Sequence, residues 1–184
     1  MTFLFSCSVS NYTLKQNTLL PYKEFAEVTK IVEELKPIKI NSIKDKRDRV
    51  SIGKAYTGVK YNETPISLSI PVKQYVYDYL LSAFEMRNLP IDAESPIAMD
   101  IEINHIWVEE VIEQYKPERA KCKVDFSFSI VGENRKWLGN FWTELTSAGD
   151  LSDGTERIAP TLASCMNNLV EKLISDKKFI DTLK

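Results

Sequence analysis

The chain offers one histidine, His105, and three cysteines, Cys7, Cys122 and Cys165, so side chains for metal or nucleophilic chemistry are scarce. His105 stands near Trp107, Glu109 and Glu110, and a histidine beside carboxylates can act as a general base or a pH switch. No GxSxG elbow accompanies it and no cysteine has a neighbouring partner. It is therefore read as a histidine at the edge of a sheet, and no catalytic residue is assigned. Glu109, Glu110 and Glu113 could attract calcium, but the EF-hand spacing is absent, and a wet strand or hairpin end is expected there. With no CxxC pair and an odd cysteine count, neither a zinc site nor a disulfide framework is indicated. No metal and no cofactor follow from these residues. Cys122 and Cys165 lie on apolar stripes and are read as separate buried thiols. In an oxidising compartment they could pair only with their Cα atoms within ~7 Å. The run Lys44-Asp45-Lys46-Arg47-Asp48-Arg49 is a charged turn. A structural role for Asp45 and Arg47 is favoured over recognition, because charge runs usually face water, where pairs contribute only ~0–1 kcal/mol.

Cys7 is different in kind. Phe3, Leu4 and Phe5 run into the small residue Ser6 before it, and Ser8-Val9-Ser10-Asn11 turns polar after it. This resembles a lipobox, the end of a bacterial lipoprotein signal peptide, in which the thiol of Cys7 carries the lipid. A signal peptide needs a basic start and ~7–15 apolar residues, so its beginning is placed upstream of Met1. Residues 1–20 are read as lipobox remnant and tether, with the polar Ser8–Thr18 as the tether, and 21–184 as a single domain.

With 184 residues the chain is long enough for one domain with a proper core. It is 43% hydrophobic and 27% charged, with a formal net charge of −2. That balance argues against disorder and removes the basic field that nucleic-acid binding needs. No stretch approaches the ~18 apolar residues of a membrane-crossing helix.

The spacing of apolar residues supplies the elements. Phe25, Val28, Val32 and Leu35 suit one face of a helix over Tyr22–Lys36, ended by Pro37. Ile38–Ile43, Val50–Val59 (broken by Gly53) and Ile66–Ile70 read as strands. Val72, Tyr75, Val76, Tyr79, Leu80, Ala83 and Phe84 define an amphipathic helix closed by Asn88 and Pro90. Three strands of period two follow, around Ile97–Ile103, Cys122–Ile130 and Trp137–Leu145, as an antiparallel meander. Ile158, Leu162, Cys165, Met166, Leu169 and Leu173 mark another helix, and Ser175-Asp176 restarts a short one. The fold class is α+β: an antiparallel or mixed sheet with two main amphipathic helices on one face, in the order β-β-β-α-β-β-β-α. Trp137 and Trp142 have opposite parity on one strand, so one indole must face outward. It is a partner-site candidate together with Tyr56 and Tyr61, because Trp and Tyr dominate interface hot spots; an isolated surface aromatic is the alternative.

Ile43-Lys44-Asp45-Lys46-Arg47, with Ile52-Gly53 following, resembles a strand ending in an Asp-x-Arg turn and an Ile-Gly start to the next strand. Ser69–Phe84 is similar to a first amphipathic helix, and Leu169–Asp176 with Phe179 and Leu183 to a closing helix. These are features of the YajG-type family of bacterial lipoproteins, and the resemblance runs from about Ile38 to the end. It implies an α+β domain on a lipid anchor, similar to the amino-terminal domain of TolB and to auxiliary lipoproteins of envelope transport systems, and it implies no reaction. The expected function is a non-enzymatic adaptor anchored in the outer membrane of a bacterial envelope, on its periplasmic or surface side, that docks onto an envelope protein. The alternatives are a carrier of a lipid or small apolar ligand, which requires a cavity of ~300 Å³ between helices and sheet, and a surface adhesin.

Overall fold

The computed structural model describes residues 11–15, 28–57, 62–113, 119–132, 135–148 and 157–184. Its strands are β1 (Tyr12–Leu14), β2 (Lys39–Asp45), β3 (Gly53–Thr57), β4 (Asn62–Leu68), β5 (Ala98–Val111), β6 (Arg119–Gly132) and β7 (Arg135–Ala148). Its helices are α1 (Val72–Met86), which follows β4, and α2 (Ile158–Ile174) and α3 (Lys177–Leu183), which follow β7. The strands form one mixed sheet in the order β1-β4-β3-β5-β6-β7, with β2 also on β5. The α+β class with helices on one face of the sheet is thus observed.

The meander β5-β6-β7 is antiparallel throughout. On β6, Cys122, Val124, Phe126, Phe128 and Ile130 turn to the helices while Lys121, Asp125, Ser127 and Ser129 turn away. Strict alternation over so long a strand leaves one apolar face, which α1, α2 and α3 cover. The other flank of β5 is shared. β2 runs parallel along residues 98–103, and β3 runs parallel at Val108 and Glu109 only. Between these two strands the chain leaves the sheet over residues 46–52.

At the return point the backbones of β3 and β5 approach closely. A Cβ on Gly53 would sit 1.7 Å from the carbonyl oxygen of Val108, so only glycine fits. After Lys54 the strands diverge, and the carboxylate of Glu110, buried on the helix side, accepts from the backbone N–H of Tyr56 at 2.7 Å.

Helix α1 ends as its sequence requires. Asn88 adopts φ 60°, Leu89 N–H donates to Phe84 O and Asn88 N–H to Glu85 O, a Schellman closure with Leu89 tucked into the core. Asp176 caps α3, its carboxylate accepting from the Phe179 N–H at 2.7 Å. Helices α1 and α2 are tied by a fully buried arginine. Arg87 donates through Nε and Nη2 to Glu171 at 3.0 and 2.6 Å, through Nη1 to Ala83 O at 2.9 Å, and through Nη2 to Asn167.

Four expectations change. The helix over Tyr22–Lys36 is absent from its described part: residues 28–36 are irregular, with Val32 exposed. Their backbone is held instead by the ends of helices, Ile31 N–H donating to Arg87 O and Lys36 N–H to Leu183 O. The polar segment read as a tether contains β1, whose Leu14 is buried and which pairs parallel to β4. His105 is not at a sheet edge. It lies mid-strand in β5, just after a bulge at Asn104 that shifts the register between Ile103 and His105. The strand broken by Gly53 begins at Gly53. Residues 1–10, 16–27, 58–61, 114–118, 133–134 and 149–156 lie outside the described residues, among them Cys7 and Tyr61.

Two stability outcomes follow. Gly53→Ala is expected to lower unfolding free energy in urea by about 3 kcal/mol, since the collision is with backbone rather than a movable side chain. Tyr75 and Tyr79 are both fully buried. The Tyr75 hydroxyl has no hydrogen-bond partner, whereas that of Tyr79 donates to Ala163 O at 3.0 Å. Tyr75→Phe should therefore stabilise the protein, and Tyr79→Phe destabilise it, each by about 1 kcal/mol in the same assay.

Candidate functional site

The face of the sheet turned away from the helices is the place where side chains can meet a partner. Its rows run straight across β5, β6 and β7: Trp107–Lys123–Glu144, then His105–Asp125–Trp142. Two strand spacings, about 10 Å, separate the ends of each row.

At the β5 end lies a cleft of about 530 Å³ between the excursion 46–52 and β5, lined by Arg47, Arg49, Lys54, His105, Trp107 and Glu109 among others. Arg47 closes its floor. Its guanidinium grips Asp45 with Nε and Nη2 at 2.9 and 2.8 Å, and Nη1 reaches Ser51 O at 3.3 Å. Only 6% of the Arg47 side chain is exposed, so this fork-on-carboxylate pair is built into the strand break and is not a solvated turn. The guanidinium's hydrogen bonds hold the Asp45 carboxyl below its ordinary pKa, against the opposing effect of burial. Asp48 stays exposed.

Arg49 lies 5.3 Å over the Trp107 ring, and the indole Nε1 donates to Glu109 at 3.0 Å. Lys54 bridges Glu63 at 3.3 Å and lies 5.9 Å over the Tyr56 ring. His105 faces Asp125 across the ladder, yet its pKa is lowered, first by burial and then by Lys123. Both effects favour the neutral imidazole, against the opposing charge of Asp125. The hydroxyl of Ser127 is hydrogen-bonded by Asn104 at 2.8 Å and joined to Asn140. With Asp125 these residues form a polar network at the centre of the face.

At the β7 end the surface turns apolar. Trp142 is 54% exposed, Leu138 73% and Val131 55%. Lys172 of α2 reaches round the edge of β7, donates to Trp142 O at 2.7 Å and lies 5.1 Å over the indole.

Of the two candidate indoles, Trp142 is the one that faces outward. Trp137 is on the helix side, stacked on Phe141 and packed on Phe179 at 5.1 Å, its ring filling the space above Gly139. Tyr56, half-buried, shares the open face through β3; Tyr61 lies outside the described residues. Glu109 and Glu110 point to opposite faces, and Glu113 pairs with Arg119. Among the described residues no three His, Cys, Asp or Glu side chains gather as a cation site would require.

Trp107 and Arg49 are the site residues that sequence reasoning missed. The bulge at Asn104 hid Trp107, because it reverses the parity that alternation from Ile97 would assign. Between helices and sheet, where a lipid carrier would need room, the fully buried Tyr75, Phe84, Phe126, Phe128 and Phe179 fill the interior. A second cleft of about 520 Å³, lined by Leu81, Leu89 and Ile91 among others, lies outside that core at the end of α1.

Because the native Asp45 carboxyl is held below its unfolded value of about 3.9, its pair with Arg47 contributes stability above that pH and loses it as the pH falls through the lowered native value. Asp45→Asn is expected to cost about 2 kcal/mol at neutral pH. In urea melts the gap between wild type and variant should stay constant above about pH 5 and shrink below about pH 4.

A family model described as uncharacterized lipoprotein matches residues 29–184. Protein XCC0632 from Xanthomonas campestris has a similar fold, with a TM-score of 0.58 at 11% identity over 92% of this chain and 96% of that one. A minor lipoprotein from Acinetobacter baumannii aligns at 10% identity over 82% of this chain and 96% of that one, with a TM-score of 0.44. No curated protein matches the chain. The family match takes in every element from β2 to α3, and the chain belongs to this family of membrane-anchored envelope lipoproteins, the YajG type that its Asp45-x-Arg47 turn resembles.

Proposed function

We propose that this lipoprotein is a non-enzymatic adaptor, fastened to the outer membrane by acyl chains on Cys7 and docking onto another envelope protein with the open face of its sheet. The observation that carries the reading is one-sided burial. Three helices cover one face, and the other presents the exposed Trp142 and Leu138 on a long edge strand, two strands from the cleft that holds Trp107. Exposed aromatic residues flanked by cations are the usual anchors of interfaces, and a rigid sheet presents them at little entropic cost. The engaged states of Arg47, Ser127 and Asp125 leave these groups as structure rather than as reactants.

The anchor fits the same geometry. Four residues separate Cys7 from Tyr12, the first residue of β1, so the Cα of Cys7 would lie within about 17 Å of that of Tyr12. Several acyl chains, at ~0.8 kcal/mol per buried methylene, hold a domain firmly on a leaflet. So short a leash keeps the β1 side of the sheet near the bilayer and leaves β7, at the far edge, pointing into the aqueous space.

Two measurements test this. In cells fed labelled palmitate, the full gene carrying Cys7→Ala should lose the label and leave the membrane fraction. Retention in the membrane contradicts the anchor. Trp142→Ala combined with Leu138→Ser should weaken binding to the envelope partner recovered by affinity capture about 30-fold while leaving the urea midpoint unchanged. Unchanged affinity contradicts the docking face.

A further inference from the structure

We propose that the outer edge of β7 pairs with β7 of a second copy of this chain, antiparallel about a two-fold axis at Asn140, so that two sheets become one. The pairing needs neither the anchor nor an envelope partner and goes beyond the function proposed above.

Among the described residues β7 pairs with β6 alone and ends the sheet. It is 14 residues long, contains no proline, and keeps one unbroken register against β6 from Arg135 to Ala148. Bulges and prolines are the usual means of blunting a sheet edge, and β7 has neither. Lys172 shows which backbone groups the edge presents. Its ammonium donates to Trp142 O at 2.7 Å from α2, so that carbonyl points away from β6. Backbone groups alternate sides along a strand, and Lys136, Leu138, Asn140 and Glu144 therefore turn their N–H and C=O outward as well. The side chains of these same five residues lie on the open face, and all are exposed. On the covered face Phe141 and Leu145 are only part-buried, so the helix layer does not seal the edge.

The five residues are their own complement. With Asn140 opposite its counterpart in the second copy, Leu138 lies opposite Trp142 and Lys136 opposite Glu144, each pair occurring twice by symmetry. A slip of two residues sets Leu138 against Glu144 in one direction and Lys136 against Trp142 in the other. Charge and apolarity thus select a single register. In it, on the order of ten backbone hydrogen bonds close across the axis. Leu138 and Trp142, 73% and 54% exposed, cover one another. Glu144, held by Lys121 at 2.8 Å, gains a second cation. Lys172, itself exposed, gives up Trp142 O to the Leu138 N–H opposite and swings aside. A two-fold contact consumes β7 of both copies, so association stops at a dimer. The two open faces stay accessible and become continuous.

The test follows the full chain in detergent by sedimentation velocity, with the urea midpoint of each variant reporting its fold. Wild type should show a reversible monomer–dimer equilibrium. Lys136→Glu, which opposes carboxylate to carboxylate twice, should weaken the dimer about tenfold, and adding Glu144→Lys should restore it to within about threefold. Oxidation reads the register. Asn140→Cys should give a disulfide-linked dimer, because paired Cα atoms there lie about 5.5 Å apart. Thr146→Cys should not, its copies being about 40 Å apart. Oxidised wild type controls for the native thiols, of which Cys122 and Cys165 are buried. Any of four results overturns the pairing: a wild type monomeric at every concentration, a dimer indifferent to Lys136→Glu, a double variant as weak as the single one, or linkage at position 146 in place of 140.

Discussion

One flank of β5 has to serve two strands, and the rest of the molecule is arranged around that constraint. β2 and β3 both run parallel to β5 on the same side, end to end, so the chain must leave the sheet after Asp45 and return at Gly53. Two backbone hydrogen bonds bracket the gap, Lys46 N–H to Ile103 O at 2.9 Å and Val108 N–H to Ile52 O at 2.8 Å. Arg47 fills it, gripping Asp45 on one side and Ser51 O on the other. β5 answers with a bulge at Asn104, opposite the gap. The bulge absorbs one residue, so that Ile106 and Val108 keep facing the helices as Ile101 and Ile103 do. The same bulge turns Asn104 and His105 together onto the open face and creates the cleft. A device for register therefore also shapes the surface.

The covered side depends on a second polar device, the buried Arg87. A charged guanidinium in a core is tolerated only when its donors are satisfied and its charge is paired. Glu171, Asn167 and Ala83 O meet that demand, and in doing so they lock the end of α1 to the middle of α2. The backbone carbonyl of the same residue receives Ile31, so the irregular segment 28–36 is tied to this junction as well. Removing Glu171 would strand a buried charge, whereas hydrophobic replacement of both partners would leave the packing with less orientation than the pair now provides.

What the sequence revealed depended on whether local pattern and tertiary role coincided. The period-two runs of β6 and β7 and the stripe of α1 are long and unbroken, so their type and inner faces could be read directly. The Schellman closure at Asn88 and the Asp176 cap were legible for the same local reason. Where tertiary partners decide, the pattern misled. Residues 28–36 have helical spacing but spend their backbone hydrogen bonds on α1 and α3. Tyr12–Leu14 is too short and polar to announce a strand and becomes one only because β4 offers an edge. His105 was misplaced by a bulge that no propensity signals. Arg87 continues the buried stripe of Tyr79, Leu80 and Phe84, three residues past Phe84, and that spacing was the available hint. Cys122 and Cys165 were read as separate buried thiols, and both are free and buried.

The account's central claim is that burial on one side leaves a sheet face through which an anchored lipoprotein engages its partner. A photoreactive phenylalanine analogue placed in the living cell tests it most directly. Set at Trp142 or Leu138 on the open face, the probe should yield the same discrete adduct with an envelope protein; set at the exposed Tyr77 of α1, on the helix layer, it should yield none. Adducts from position 77 with silence from 142 and 138 would contradict the claim.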